Sequence, residues 1–427
     1  MSCLADSTST VDVAVIGAGA AGLASAIFTR RDRPDARTVV FDGARTPGAK
    51  ILVSGGSRCN VTNSVVTERD FCGGRPAFVR RVLRGFSVAE TVRFFRDMGV
   101  ALQEEPGGKL FPVTNRSRDV LAALLQGLAD SGAELAAGRR VTHVARTADR
   151  RFTLTTPDGT WEARAVILAT GGLSLPKTGS DGAGYAFART FGHDIVTTTP
   201  ALVPLTIAED QLGVTGRLAG VALDAELSIW NGSSVATRIR GPLLWTHFGI
   251  SGPAALDASR HWLRIGLAGI TPRLTVSLCP GQDFSTIERR WVELSSARPR
   301  ARVETALATF VPASVADAVA AAAELEAGGT LAALTRDERR RLVHTLSAWP
   351  LAVSGSRGYN YAEVTAGGIS LDGVDASTMG SRTCPGLFFA GEVLDVDGRI
   401  GGFNFQWAWS TARAAARGAA RWLAGSG

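Results

Sequence analysis

The first regular pattern in the chain is a continuous apolar run, Val11-Asp12-Val13-Ala14-Val15-Ile16, dominated by β-branched residues. A short run of this kind, closed by a glycine turn, predicts a strand buried on both faces of a parallel sheet. After that turn, Leu23-Ala24-Ser25-Ala26-Ile27-Phe28 predicts a helix, and Thr38-Val39-Val40-Phe41 predicts a second strand ending at Asp42. A third strand is predicted over Trp161 to Thr170, running into Gly171-Gly172, and a late one over Gly386 to Ala390, running into Gly391. Between these, residues 200 to 280 carry short Val, Leu, Ile and Thr runs broken at Asn231-Gly232, Gly241-Pro242 and Pro280-Gly281. That is a strand-and-turn pattern. Residues 285 to 347 switch to Ala, Leu, Glu and Arg at helical spacing, broken at Pro299, Pro312 and Gly328-Gly329. From residue 350 onward strands and glycine turns return.

The turn after the first strand carries the first chemistry. It reads Gly17-Ala18-Gly19-Ala20-Ala21-Gly22, a G-x-G-x-x-G set between strand and helix. In that context Gly17 permits the tight turn, Gly19 lets backbone approach a pyrophosphate, and Gly22 allows close helix–strand packing. The helix start at Ala20 and Ala21 offers free N–H groups to phosphate. Asp42, followed by Gly43, lies 20 residues beyond Gly22, where a ribose hydroxyl needs an acceptor. The segment is therefore read as a dinucleotide site. No second G-x-G-x-x-G follows a strand, so the chain carries one such site. The strand ending at Thr170 and Gly171, and the late return through Gly391, Glu392 and Asp397, suit the ribityl and pyrophosphate of FAD.

Composition narrows the picture. With 427 residues, 45% hydrophobic and 20% charged, the chain can bury a large core, which excludes disordered, collagenous and disulfide-scaffold classes. No apolar run is long enough to span a bilayer, and Met1 to Thr10 lacks the features of a secretory leader. A cytoplasmic protein without membrane association is expected. Five scattered cysteines form no C-x-x-C pair, and no metal-ligand cluster or Ser-His-Asp set stands out, so metal and hydrolase chemistry are not expected. The net charge is +7, but the dense arginine runs (Arg289-Arg290, Arg298 to Arg302, Arg336 to Arg341) read as solvated helix faces. No nucleic-acid partner is expected from them. Lysine occurs only at Lys50, Lys109 and Lys177, each in a glycine-rich turn.

Several segments resemble a known family. Gly48-Ala49-Lys50-Ile51-Leu52-Val53-Ser54-Gly55-Gly56-Ser57-Arg58-Cys59-Asn60-Val61-Thr62-Asn63 is similar to the G-R-K-x-x-x-S-G-G-G-R-C-N-x-T-N signature of the BaiN-like and aminoacetone oxidase-like flavoproteins. The stretches GGLSLPKTGS from Gly171, THFGISGP from Thr246, AEVTAGG from Ala362 and GEVLDVDGRIGGFNFQWAWS from Gly391 continue the resemblance over nearly the whole chain. Ala49 and Ser57 depart from it, standing where the family has Arg and Gly.

The resemblance implies non-covalent FAD on an α/β, doubly wound Rossmann-like domain, interrupted by a β-rich subdomain and a small helical one. The corresponding ranges are 1–198 for the first part of the FAD-binding domain and 199–283 for the β-rich insert. Residues 284–348 form the helical subdomain, and 349–427 the second part of the FAD-binding domain. Cofactor contacts are expected from Lys50, Ser54, Gly55, Gly56, Arg58, Asn60 and Thr62, with Arg58 alternatively paired to a carboxylate. Further contacts are expected where a long helix opens at Gly402, Phe403 and Asn404, with Gln406 beside them. His247, Tyr359 and Tyr361 are the candidate acid–base residues.

The expected activity is that of an FAD-dependent oxidoreductase acting on a small organic substrate. By family analogy the favoured direction is reduction of an activated C=C bond, with NAD(P)H docking transiently as co-substrate. The alternative is oxidation of an amine or alcohol with peroxide formed in air. A tRNA-modifying flavoprotein and a non-catalytic FAD-binding regulator are the remaining readings. The oligomeric state is left open.

Overall fold

Strand β1 (Ser9–Ile16) forms where the sequence places its first apolar run, and Val13, Ala14 and Val15 are fully buried. The computed structural model describes residues 9–425, so Cys3 and most of the Met1–Thr10 segment lie outside the described residues. Helix α1 (Ala20–Asp32) follows the glycine turn directly, and its Leu23, Ala24, Ala26 and Ile27 are buried. β2 (Thr38–Asp42) then pairs in parallel with β1, Val13 opposite Thr38 and Ile16 opposite Phe41. Helix α2 (Ala49–Ser57) follows.

The long strand β3 (Gly159–Leu168) pairs in parallel with the other side of β1, Val15 opposite Ile167. Its last residues receive the late strand Leu387–Phe389, also in parallel, with Ile167 opposite Phe388. The strand Glu134–Ala137 extends the parallel set beyond β2, while Phe152–Thr156 and His143–Arg146 add an antiparallel flap to the first half of β3. Both faces of the parallel set are covered, which is why its strands read as unbroken apolar runs rather than alternating ones. The C-terminal helix Phe403–Gly425 packs along α1.

The chain divides into two units. Residues up to Thr198 and from Glu363 form the first, and Thr199–Ala362 form the second. The second unit is built on an antiparallel seven-stranded sheet. Its spatial order is Trp349–Leu351, Arg273–Ser277, Ala222–Asn231, Ser234–Thr246, Gly249–Ser251, Leu205–Ile207 and Val353–Ser356. Its core joins Leu227, Ile229, Trp245 and Ile250 to helix residues such as Trp291 and Leu346.

Residues 349–362 differ from the sequence reading, which assigns them to the second part of the cofactor domain. Trp349 pairs with Val276 and packs at a tilt 5.5 Å from Trp245, and Ser356 pairs with Leu205, so both strands belong to the inserted unit. The reason is burial, since Trp349 and Leu351 find their apolar partners in that core. Among the described residues no helix is long and apolar enough to cross a membrane.

Candidate functional site

The glycine turn is shaped by contacts that exclude side chains. Gly17 has φ +104°, and a Cβ there would lie 2.5 Å from the Ala169 carbonyl oxygen. A Cβ on Gly22 would collide with the Gly17 carbonyl. Gly19 is different: it is the N-cap of α1 at φ −81°, and a Cβ there would meet nothing within 4 Å. Open space therefore lies in front of a helix start whose first residues are Ala20, Ala21 and Gly22. Their backbone N–H groups have no partners within the helix, and the positive end of the dipole lies among them. Asp42 accepts from Ala18 N at 2.6 Å and from Ala44 N at 2.7 Å, so its carboxylate ties this turn to the one after β2. Gly43 passes beside the Arg140 side chain.

The second glycine segment is more unusual. α2 is helical only at its start. Ser54 is extended (ψ 147°), and Gly55, Gly56 and Ser57 follow at φ 54°, 67° and 66°, three left-handed residues in succession. Ser57, standing where the family has Gly, therefore carries a side chain in a conformation that costs roughly 1 kcal/mol without glycine. Ser54 Oγ donates to the Ile51 carbonyl. Arg58 pairs with Glu105 at 2.7 Å and lies 4.0 Å over the Phe111 ring, the carboxylate-paired arrangement rather than a free cation. Cys59 is fully buried, and burial pushes its thiol up to about 12. Asn60 is 8% exposed, and its Oδ1 has no hydrogen-bond partner among the described residues.

The helix start at Gly402 comes against this segment. Gly402 has φ +93°, and a Cβ there would collide with the Thr62 carbonyl and lie 2.9 Å from Asn60 Oδ1. Phe403 is buried. The two amides expected to face the cofactor bond within the protein instead. Asn404 donates to the Gly398 carbonyl and accepts from Gly398 N, bracing the turn that precedes the helix. Gln406 accepts from Thr62 and Thr91 and donates to Phe86 O and Ser410 Oγ. Thr62 is thereby committed to Gln406. Asp397 is buried in the short strand Asp397–Gly398, opposite Cys72.

Lys50 joins three other segments. Its ammonium pairs with Glu392 and donates to Ser174 Oγ. Glu392 also accepts from Ser174 Oγ at 2.7 Å and from Thr365 N at 3.0 Å, while Thr365 Oγ1 accepts from Leu173 N and Ser174 N. Four segments distant in sequence are thus stitched around one ion pair. Ser174 and Thr365 were not singled out by sequence, although both stand inside family-like stretches. Close by, Gly171 has φ +71°, and Thr170 Oγ1 is buried without a hydrogen-bond partner among the described residues. Gly391, at φ +79°, comes so near Ala21 that a Cβ would sit 2.8 Å from the alanine methyl.

The candidate acid–base residues lie in the second unit. His247 is exposed at the turn between the strands Ser234–Thr246 and Gly249–Ser251, its ring 5.1 Å from Phe248. Tyr359 and Tyr361 bound a single 3-10 turn, with Tyr361 52% exposed. The Arg357 guanidinium carbon lies 4.4 Å from the Phe248 ring centre and 3.8 Å from that of Tyr361. Sequence reading passed over Arg357 in favour of its tyrosine neighbours.

FAD fits the first unit on three observations: an open helix N-terminus at Gly19, glycines pressed too close for side chains at Gly17 and Gly402, and buried oxygens of Asn60 and Thr170 lacking partners. Fold and site together define an FAD-binding oxidoreductase of the Rossmann class. The chain belongs to the family described as "HI0933-like protein Rossmann domain", matched over residues 11–418.

Among its relatives is the "Ribosomal RNA dihydrouridine synthase" of Escherichia coli, 33% identical over 95% of this chain and 97% of that protein. The protein of the same description from Haemophilus influenzae is 32% identical over 94% and 96%. The "3-dehydro-bile acid delta(4,6)-reductase" of Clostridium scindens is 30% identical over 96% and 98%. Among solved structures, a quinol–fumarate reductase with menaquinol molecules superposes with a TM-score of 0.50 at 15% identity. It covers 98% of this chain and 72% of that one, a likeness of fold alone.

Proposed function

We propose that this oxidoreductase catalyses the NAD(P)H-linked reduction of an activated C=C bond, and that the bond is C5=C6 of a uridine in ribosomal RNA. The observation that carries the flavin-dependent redox reading is the glycine cradle with its unpartnered Asn60 and Thr170 oxygens, and the reductase direction is supported by the names of the three relatives. The substrate is supported by two relatives named for rRNA dihydrouridine synthesis, aligned over nearly the full length of each chain. The third relative is named for reduction of a bile-acid skeleton. Uracil and a steroid enone share a C=C bond conjugated to a carbonyl, so one chemistry serves both. This reading is nearest the nucleic-acid-modifying alternative of the sequence analysis, and it departs from two expectations there: a small substrate, from the resemblance, and no nucleic-acid partner, from the spread of charge.

FAD, if held in the cradle, would supply the hydride chemistry, including negative charge on the reduced ring. The helix opening at Phe403 sets its positive end beside Asn60 and Thr62, where such charge is stabilised without a charged side chain. The helix start at Ala20 and Ala21 would hold the pyrophosphate. Reducing the double bond adds one hydride and one proton, and NAD(P)H leaves as NAD(P)+. His247 and Tyr359 are kept as candidates for the proton.

The test incubates the purified holoenzyme and NADH or NADPH with rRNA from a strain lacking this gene. Nucleosides are then analysed by mass spectrometry. Dihydrouridine appearing at a defined position supports the reading. A bile-acid enone reduced while rRNA stays unchanged favours the steroid reading. Peroxide formed from amines in air, with no nicotinamide oxidation, returns the oxidase.

A further inference from the structure

We infer that the Phe248–Arg357–Tyr361 stack in the second unit is a nucleotide-gripping subsite, with Arg357 holding a phosphodiester of the RNA and Tyr361 stacking a base. The inference rests on the rRNA reading above and assigns residues to it.

The stack is built by the sheet. Leu205–Ile207 lies between Gly249–Ser251 and Val353–Ser356, with Leu205 opposite Ile250 on one side and Ser356 on the other. Phe248 is fixed by its carbonyl accepting from Ile207 N, and Arg357 by its own N–H donating to the Pro204 carbonyl, both at 3.0 Å. Gly358, at φ +69°, then turns the chain so that Tyr361 returns over the arginine, and Tyr361 N donates to the Gly358 carbonyl.

Two rings therefore lie against the Arg357 guanidinium, their centres 4.4 and 3.8 Å from its carbon. Cation–π stacking of this kind orients the group but leaves its N–H edge without acceptors. Among the described residues no carboxylate pairs with Arg357, although many arginines of the chain are so paired. A planar fork of donors resting on two rings and facing no protein anion matches an oxyanion such as a phosphodiester. Tyr361 is 52% exposed with one face on the arginine, which leaves ring surface for a base. His247 stands next in the same turn as Phe248 and offers a second polar group. A folding role alone does not require a half-exposed tyrosine, an exposed histidine and an unpaired cation in one cluster.

The test measures binding of the holoenzyme to fluorescein-labelled fragments of unmodified rRNA, as affinity against salt concentration. Arg357→Gln is expected to weaken binding roughly tenfold and to lower the salt slope by about one. Arg357→Lys keeps the slope but weakens binding, because the charge stays and the stacked fork is lost. Tyr361→Leu weakens binding with the slope intact. Thermal melting and bound-flavin absorbance check that each variant is folded.

An unchanged salt slope and affinity within about twofold in folded Arg357→Gln overturns the inference alone. Arginine-dependent binding without dihydrouridine formation overturns the proposed reaction and leaves the subsite standing. Wild-type protein that binds no RNA overturns both.

Discussion

Gly19 and Ser57 show how much of the site is decided by single backbone positions. Gly17 and Gly22 face backbone that leaves no room for a methyl group, so their substitution damages the fold and says little about a ligand. Gly19 has open space instead, at a φ that alanine adopts readily. Gly19→Ala is therefore expected to fold normally, with unchanged melting of the apoprotein, yet to lose FAD on gel filtration. Retention of FAD at the wild-type level would show that no pyrophosphate approaches there. Ser57→Gly tests the opposite effect, relief of strain. Removing the side chain from φ 66° is expected to raise the melting temperature by roughly 2 °C, because about 1 kcal/mol of left-handed cost disappears. The sequence flags Ser57 as a departure from family, but only the backbone angle turns that departure into a sign and a size.

Between elements, the structure turns on ties that the sequence shows only as separate polar letters. The strand–turn–helix from Val11 to Phe28 was legible because glycine spacing and apolar runs are local signals. The partners of Gln406 and Arg58 were not, since each is chosen by a segment tens to hundreds of residues away, whereas Asn404 turns back on Gly398 only six positions earlier. The strands at 349–356 were misassigned for the same reason: alternation predicts a strand without naming its sheet. Lys50 illustrates both sides. Its rarity and its glycine-rich turn drew notice, while its true company of Glu392, Ser174 and Thr365 required the fold. A compact ammonium fits between two acceptors where a planar guanidinium displaces one of them. Lys50→Arg is expected to weaken FAD affinity roughly tenfold by equilibrium dialysis, through loss of one charge-assisted bond. Arg118→Lys on the exposed surface serves as the control and leaves affinity unchanged. Equal affinities in the two variants would reduce Lys50 to a surface-like residue.

For the whole molecule, the charge of +7 first read as unremarkable helix decoration. Part of that charge is committed to carboxylates, as at Arg58 and Arg140, while the Arg357 guanidinium lies against the Phe248 and Tyr361 rings. The first unit carries a cofactor cradle whose oxygens await partners, and the second carries exposed aromatic and basic groups on a rigid sheet. Oxidoreductase chemistry follows from the first. The choice of substrate is the central claim, supported by the relatives named for rRNA dihydrouridine synthesis, and its proposed grip on the RNA was not legible in the sequence, because Phe248 and Arg357 stand more than a hundred positions apart.

The most direct measurement is mass spectrometry of rRNA nucleosides after anaerobic incubation with holoenzyme and NAD(P)H. The account predicts a mass gain of about two daltons on one uridine, from hydride and proton addition, with matching nicotinamide oxidation. Complete absence of dihydrouridine, with the flavin reduced and the RNA intact, would contradict it.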